Sequence, residues 1–270
     1  MSNLLQRAIT ALVGVAIIIT ALVYSPYGFA AVFLMIILLT LKEFYQLAKA
    51  SGRSPYELWG IGFSLICFMM VFFSYQSDID MDIFWFLPAL FALVFIYPLQ
   101  KLNNSHAIQC LGISILGVVY IALPFVLLSS IAFISGSYNY LLILGILFLQ
   151  WANDTGAYFA GKAFGKRKLF EKVSPNKTWE GTIGGFILSQ AIAFAFHYWF
   201  GELLLWQWVV LAAIVSVFGS IGDLAESHFK RTLAIKDSGS SLPGHGGFLD
   251  RFDGLLLSIP FTVAYLHFIL

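Results

Sequence analysis

Charged residues are scarce in this chain. Lys, Arg, Asp and Glu together make up 11% of its 270 residues, whereas hydrophobic residues make up 60%. Soluble domains carry about 25% charged residues, because a buried core needs a polar surface around it. The composition therefore excludes an ordinary soluble domain and predicts a protein that is solvated mostly by lipid.

Cysteine is also scarce, and no set of nucleophilic residues is evident. The two cysteines, Cys67 and Cys110, lie in or beside apolar runs, without CxxC or Cys/His spacing. This pattern is typical of small buried side chains and predicts neither a disulfide framework nor a zinc site. Because no Ser/His/Asp or Cys/His arrangement stands out, we propose no histidine-activated nucleophile.

Long apolar runs are what the chain has in abundance. A helix needs about 20 apolar residues to cross a bilayer, and lipid admits only helices or closed barrels. The runs are too long for barrel strands, so we predict an all-α integral membrane protein, a polytopic helical bundle. The fifth run carries Pro124 and is expected to be kinked or split. Nine runs qualify as spans: 8–24, 28–48, 57–75, 83–99, 108–134, 139–161, 180–200, 204–228 and 249–270.

The basic residues predict the orientation of these spans. With a cytoplasmic N-terminus, all 15 Lys and Arg residues fall on the cytoplasmic side, as the positive-inside rule requires. Two long polar segments, 162–179 and 227–248, are predicted to form loops on that same side. We therefore expect an active site that faces the cytoplasm, and the membrane that we expect is the inner membrane of a bacterium. Residues 1–135 are predicted to form a scaffold and lipid pocket, and residues 136–270 a catalytic region.

Polar residues line one face of the eighth span. They recur at spacings of three and four, which places them on one side of a helix that faces a protein or water-filled interior. A carboxylate near membrane depth is costly and is usually functional, paired with a cation or a metal. For Asp223, a hydrated acid at the end of a helix is the alternative. The face consists of Ser216, Gly219, Asp223, Glu226, Ser227 and Lys230.

A glycine-rich segment connects the eighth span to the ninth. Its glycines, Gly244, Gly246 and Gly247, allow the backbone to approach a ligand closely, and successive N–H groups there can cradle phosphate oxygens. Asp250 and Asp253 follow on one helical face. With Asp223 they can present three carboxylates to a hard divalent cation. The basic charge that a polyphosphate requires is supplied by Lys230, Arg231, Lys236 and Arg251.

The sixth span and the polar segment after it contain two further candidates. Asp154 lies in an apolar run. We interpret it as a metal or ribose contact, with a partner in a helix–helix hydrogen bond as the alternative. Lys177 precedes a helix start with unsatisfied N–H groups, which favours a contact to substrate phosphate. The basic triplet 166–168 is explained equally well as a topology signal that attracts anionic headgroups.

The segment from Ser227 to Asp253 resembles the signature of the phosphatidate cytidylyltransferases, also called CDP-diacylglycerol synthases. The matching run is Ser227-His-Phe-Lys-Arg, Lys236-Asp-Ser-Gly, Leu242-Pro-Gly-His-Gly-Gly-Phe-Leu-Asp-Arg-Phe-Asp253. The segments Asn153–Tyr158 and Ser174–Gly181 look like further landmarks of that family. With them the resemblance covers roughly residues 140–270.

The resemblance implies a Mg²⁺-dependent enzyme in which phosphatidate attacks the α-phosphorus of CTP and pyrophosphate leaves. It also implies a helical homodimer with a metal pair that can include K⁺. The partners that it implies are CTP, phosphatidate and membrane lipid, and nucleic acid is not among them. By position, Asp223 and Asp250 become the metal ligands, with Asp253, Glu226 and Asp154 as further members. The expected catalytic residues are these two ligands with Lys230, Arg231, Lys236 and Arg251, and the expected substrate contacts are Lys177, Asn153, Ser227, Gly244, His245, Gly246 and Gly247.

Two other functions fit parts of the pattern. A CTP-dependent lipid or polyprenol kinase shares a CTP site but transfers the γ-phosphoryl group to a hydroxyl, with Asp237 or His245 as a base. An ion-coupled transporter would use Asp154 and Asp223 as intramembrane sites. Transporters often have internal repeats with sites near the midplane, whereas here no repeat is convincing and the charges gather in one half of the chain.

Overall fold

The computed structural model describes residues 3–77, 81–100, 106–232 and 246–270. Most of these residues are helical, and the sheet within the described ranges is a two-stranded hairpin. The predicted class, an all-α polytopic membrane protein, is confirmed. The described residues divide into two compact units, one within 3–138 and 246–251, the other within 139–232 and 252–270.

The first unit contains the six N-terminal helices. Residues 81–100 are helical throughout, with 3₁₀ segments at Met81–Trp85 and Leu93–Gln100 on either side of the fourth helix. These bounds agree with the predicted spans to within a few residues. The helices are α1 (Asn3–Tyr24), α2 (Pro26–Ala50), α3 (Glu57–Gln76), α4 (Phe86–Ala92), α5 (Ala107–Gly117) and α6 (Leu123–Ala132).

The predicted irregularity of the fifth span lies just before Pro124. A π-helical turn, Val118–Ala122, joins α5 to α6, and Pro124 occupies the start of α6. A proline at this position lacks the N–H that the preceding turn would need, and the widened turn accommodates that loss. Residues 107–132 consequently form one helical stretch. Its hydrogen-bond pattern changes at the π-helical turn, but the helix is not split.

Aromatic side chains fill the core of the first unit. Phe29, Phe68 and Phe72 are fully buried, and the ring of Phe29 packs against the other two. Tyr45 is fully buried too, and its hydroxyl donates to the carbonyl oxygen of Ser114 at 2.8 Å. This bond satisfies a polar group that would otherwise be stranded among apolar side chains.

The second unit contains three long helices, most of a fourth and the hairpin. Strands β1 (Lys168–Phe170) and β2 (Ser174–Thr178) pair antiparallel within the polar segment that was predicted as a loop. Thr178 ends β2 and also caps the next helix, because its hydroxyl oxygen accepts the N–H of Gly181 at 3.2 Å. The helices are α7 (Leu141–Phe164), α8 (Trp179–Phe200), α9 (Leu205–Thr232) and α10 (Leu249–Ile269).

Glycines bring the helices of the second unit close together. A Cβ on Gly156 of α7 would lie 2.7 Å from the carbonyl oxygen of Gly184 of α8. A Cβ on Gly222 of α9 would lie 2.6 Å from the carbonyl oxygen of Asp253 of α10. Small residues at helix contacts are the usual way to pack helices in lipid, where the hydrophobic effect does not drive helices together.

Seven helical stretches in the described part of the chain are long and apolar enough to cross a membrane. The apolar part of α1, Ile9–Tyr24, is shorter than these seven. Helix α7 falls outside the group, and the polar run 150–154 within it lowers its hydropathy. The chain is an integral membrane protein, while the count of nine spans and the cytoplasmic N-terminus stay predictions.

Both cysteines are free thiols, as predicted. Cys110 is buried and Cys67 is partly buried.

Candidate active site

Helix α9 presents the polar face that its spacing predicted. Ser216, Gly219 and Glu226 are buried, and Asp223 and Lys230 are partly buried. The charged residues among them lie in the last turns of α9, where apolar sequence gives way to charge. The helix therefore delivers two carboxylates and a lysine to one end of the second unit.

Carboxylates from three helices act on one another at this end of the second unit. The partly buried carboxyl of Asp253 on α10 experiences the negative charges of Asp223, Glu226 and Asp154. These acids lie on helices α9 and α7. We call Asp154, Asp223, Glu226 and Asp253 the acid cluster; neighbouring like charges disfavour one another, and nearby cations offset that repulsion.

Two lysines supply positive charge to the acid cluster. Lys177, on strand β2, forms an ion pair with Asp223. Lys230 pairs with Glu226 one turn earlier on α9, with 2.6 Å between Nζ and Oε2. The Glu226 side chain is only 1% exposed, so its charge depends on this partner for compensation.

The hairpin positions Lys177. The N–H groups of Lys166 and Arg167 donate to the carboxylate of Glu180, at 3.1 Å and 3.2 Å respectively, which ties the start of the hairpin to the first turn of α8. Lys177 directly precedes Thr178, the N-cap of α8, so the cap fixes the backbone from which this lysine extends. Glu180 is therefore a structural residue of the site.

Gln150 is a site residue that the sequence analysis missed. Its side chain is 4% exposed, and its Nε2 donates to Oδ1 of Asp154 at 3.0 Å. It lies against Gly219 of α9 and Gly254 of α10, where a Cβ on either glycine would collide with its carboxamide. Gln150 thereby links the three helices that carry the acid cluster. A glutamine one turn before an aspartate in an apolar run was the available signal.

Asn153 is buried against α8. It is 2% exposed, and a Cβ on Gly185 of α8 would lie 2.8 Å from its Oδ1. That oxygen has no hydrogen-bond partner among the residues that the structure describes. A role for Asn153 in substrate binding stays a prediction.

Ser227 and Arg231 extend the polar face of α9. The Ser227 hydroxyl lies 3.4 Å from Oδ1 of Asp223, at the long end for a hydrogen bond. Arg231 is exposed, and its Nε lies 3.4 Å from the carbonyl oxygen of Val173 in the hairpin. Both side chains are consequently close to the residues that carry the acid cluster or Lys177.

In the first unit, the signature segment forms the start of α10. Gly246 has a positive φ of 83°, a backbone conformation that favours glycine. The N–H of Gly247 donates to Oδ2 of Asp250 at 3.2 Å, and Arg251 in the same turn is exposed. Three other predicted residues, Lys236, Gly244 and His245, lie outside the described residues.

The donor set of the acid cluster suits a hard cation. Carboxylate oxygens are the usual protein ligands of Mg²⁺, which takes one or two of them and completes its shell with water and substrate phosphates. Within the described ranges, no three Asp, Glu, His or Cys side chains converge closely enough to hold a metal ion by themselves. The metal assignment of these carboxylates therefore stays a prediction.

These features define a class of protein. Carboxylates and lysines gather at one end of membrane-spanning helices, which is typical of an enzyme that positions phosphate groups and neutralises their charge. The family comparison agrees, because the sequence model of the Cytidylyltransferase family matches residues 5–269. The chain belongs to this family, and by class it is a nucleotidyltransferase.

The similar proteins include three that carry the name phosphatidate cytidylyltransferase. The one from Bacillus subtilis is 32% identical over 264 residues, which cover 97% of each chain. The one from Staphylococcus saprophyticus is 30% identical over 259 residues, covering 94% of this chain and 95% of that one. The one from Haemophilus influenzae is 45% identical over 134 residues, which span about half of either protein, 48% of this chain and 46% of that one.

Proposed function

We propose that this protein makes CDP-diacylglycerol and pyrophosphate from CTP and phosphatidate, as a step in phospholipid biosynthesis. The observation that carries the proposal is the acid cluster with Lys177 and Lys230, found in a chain of the Cytidylyltransferase family. The names of the similar proteins support phosphatidate as the second substrate.

The reaction requires no covalent group on the protein. A phosphate oxygen of phosphatidate attacks the α-phosphorus of CTP and forms a new P–O bond. The bond between the α-phosphorus and the bridging oxygen breaks, and pyrophosphate leaves with the electron pair. Because the lipid supplies its own anionic nucleophile, the protein has to align the two phosphates and offset their mutual repulsion.

Lys177 and Lys230 suit the task of charge neutralisation. Each is paired with a carboxylate of the acid cluster, so each ammonium group is held in place before a polyphosphate arrives. Arg231 is exposed beside the hairpin and is assigned to substrate phosphate with them. Lys236 and Arg251 are assigned to the same role from their sequence positions.

Mg²⁺ is the metal that the carboxylates would hold. In the second unit Asp223 is the first candidate ligand, supported by Asp154, Glu226 and Asp253. Asp250 is a candidate from its place in the signature. When bound, Mg²⁺ stabilises the charge that develops on the phosphate oxygens as pyrophosphate departs. K⁺ as a second cation remains part of the proposal.

The cellular setting is proposed from the sequence and its relatives. The distribution of Lys and Arg favours a site that faces the cytoplasm, where CTP is made. The bacterial sources of the similar proteins support the cytoplasmic membrane of a bacterium. Gly246 and Gly247 are proposed, from their place in the signature, to lie against the nucleotide. Ser227 and Asn153 are proposed as substrate contacts. A homodimer is proposed for the assembly.

The position of the label in CTP separates this reaction from its alternatives. Purified protein in mixed micelles of detergent and phosphatidate would be given Mg²⁺ and CTP labelled at either the α- or the γ-phosphorus. We expect the α-label to enter the lipid fraction and the γ-label to leave as pyrophosphate. Entry of the γ-label into lipid would indicate the kinase instead.

Matched variants connect the reaction to the site. Asp223→Asn removes the charge of one member of the acid cluster with little change in shape, and we expect transfer of the α-label to be lost. Glu57→Gln also neutralises an ion-paired acid, but one in the first turn of α3 beside Lys49. This control should retain transfer. If neither label moves in the wild type while ions cross vesicles that contain the protein, the transporter replaces our proposal.

A further inference from the structure

A carboxylate from the N-terminal half of the chain contacts the signature segment. Glu43 lies on α2 and is 2% exposed, and its Oε2 accepts the backbone N–H of Leu249 at 3.0 Å. The two residues are 206 positions apart, and both belong to the first unit. The family signature does not include Glu43.

Leu249 is the first residue of α10, where helices have N–H groups without partners in their own backbone. The turn before it is shaped by Gly246, with its positive φ, and by the buried Gly247. Asp250 satisfies the N–H of Gly247, and Glu43 satisfies that of Leu249. Two carboxylates thus accept hydrogen bonds from two backbone N–H groups at the start of α10.

The cost of burying Glu43 indicates that it has a specific role. Its second oxygen, Oε1, is buried and has no hydrogen-bond partner in the described part of the chain. A buried carboxylate with an unsatisfied oxygen is destabilising relative to an apolar side chain of similar size. The hydrogen bond that the structure describes for Glu43 is to an N–H at the positive end of a helix, where a carboxylate is most favourable.

We propose that Glu43 is a positioning residue for the active site. By holding the N–H of Leu249, it fixes the first turn of α10 and with it the orientation of Asp250 and Arg251. The N-terminal half of the chain therefore contributes to the chemistry and is more than a scaffold. The role in catalysis rests on the proposed function, whereas the role in ordering α10 does not.

Three substitutions separate position from charge. Glu43→Gln keeps an oxygen acceptor at the same reach and removes the charge. Glu43→Asp keeps the charge but withdraws the acceptor by one methylene group. Glu43→Ala removes both. Glu57→Gln is the matched control, since it neutralises an acid of the same unit at the start of α3.

Hydrogen exchange of the full chain in detergent measures the order of the helix start directly. In Glu43→Ala and Glu43→Asp we expect the Leu249 amide to exchange at least about tenfold faster, because its acceptor is lost. Glu43→Gln and the control should exchange like the wild type. Unchanged exchange at Leu249 in Glu43→Ala would overturn the proposal. A loss of protection spread evenly over α1–α6 would also overturn it, because that result would indicate a general structural role.

Steady-state kinetics test the consequence for catalysis. Misplacement of Asp250 and Arg251 should lower kcat about tenfold or more in Glu43→Ala and Glu43→Asp, with rescue in Glu43→Gln. If Glu43→Gln is as slow as Glu43→Ala, the charge matters and the positioning role is wrong. If Glu43→Ala fails to fold, the comparison of Glu43→Asp with Glu43→Gln decides the question. If exchange responds as expected but the wild type transfers no cytidylyl group, the proposed function fails and the ordering role stands.

Discussion

Removal of Lys230 should destabilise the protein more than removal of any exposed lysine. The Lys230 side chain is 12% exposed, and its partner Glu226 is 1% exposed, with 2.6 Å between Nζ and Oε2. Lys230→Met keeps the length of the side chain and removes its charge, which leaves the Glu226 carboxylate buried without its cation. Breaking a buried ion pair from one side costs about 3–5 kcal/mol.

A double substitution tests whether the stranded charge is the cause. Glu226→Gln combined with Lys230→Met removes both charges, so most of the loss should be recovered, since neutral replacement of a buried pair is often close to neutral in stability. Lys172→Met, in the exposed turn of the hairpin, should stay within about 0.5 kcal/mol of the wild type.

Thermal unfolding in detergent, followed by circular dichroism, provides the measurement. For a chain of this size about 1 kcal/mol corresponds to roughly 2–4 °C, so Lys230→Met should lower Tm by roughly 10 °C. Equal Tm values for Lys230→Met and Lys172→Met would refute the reasoning. A double variant as unstable as Lys230→Met would refute it as well.

Three further substitutions test separate parts of the structure. Gly222→Ala places a Cβ 2.6 Å from the carbonyl oxygen of Asp253, so it should separate α9 from α10 and lower both Tm and cytidylyl transfer. The control Gly62→Ala, whose Cβ meets no atom within 4 Å, should change neither. Lys177→Gln should raise the KM for CTP about tenfold or more with little change in Tm, because it removes a partly exposed cation from the site. Tyr45→Phe should cost about 1 kcal/mol in thermal unfolding through the loss of one buried hydrogen bond, with unchanged kinetic constants.

The sequence was informative where the signal is local. Apolar runs longer than a bilayer's width predicted the helices to within a few residues, since lipid leaves few alternatives to a helix. The spacing of three and four along α9 placed Asp223 and Glu226 on one face. Pro124 correctly indicated an irregular fifth span, although not the π-helical turn that accommodates it.

The sequence was uninformative where distant segments meet. The hairpin at 168–178 is too short and too polar to produce a clear strand pattern, so it was predicted as a loop. The contact of Gln150 with two glycines depends on how three helices pack, and periodicity within one helix does not encode this packing. Nothing in the sequence connects Glu43 on α2 with Leu249 at the start of α10, because 206 positions separate them.

The central claim is that the acid cluster with Lys177 is the site for the CTP phosphates. Metal-dependent nucleotide binding is its most direct test. Mn²⁺ would replace Mg²⁺ as a paramagnetic probe, and its binding with CTP would be followed by electron paramagnetic resonance without phosphatidate, so that no transfer occurs. We expect the wild type and Glu57→Gln to bind Mn²⁺ and CTP together, and Asp223→Asn to bind them at least about tenfold more weakly. Equal affinity in Asp223→Asn and the wild type would contradict the assignment of the site.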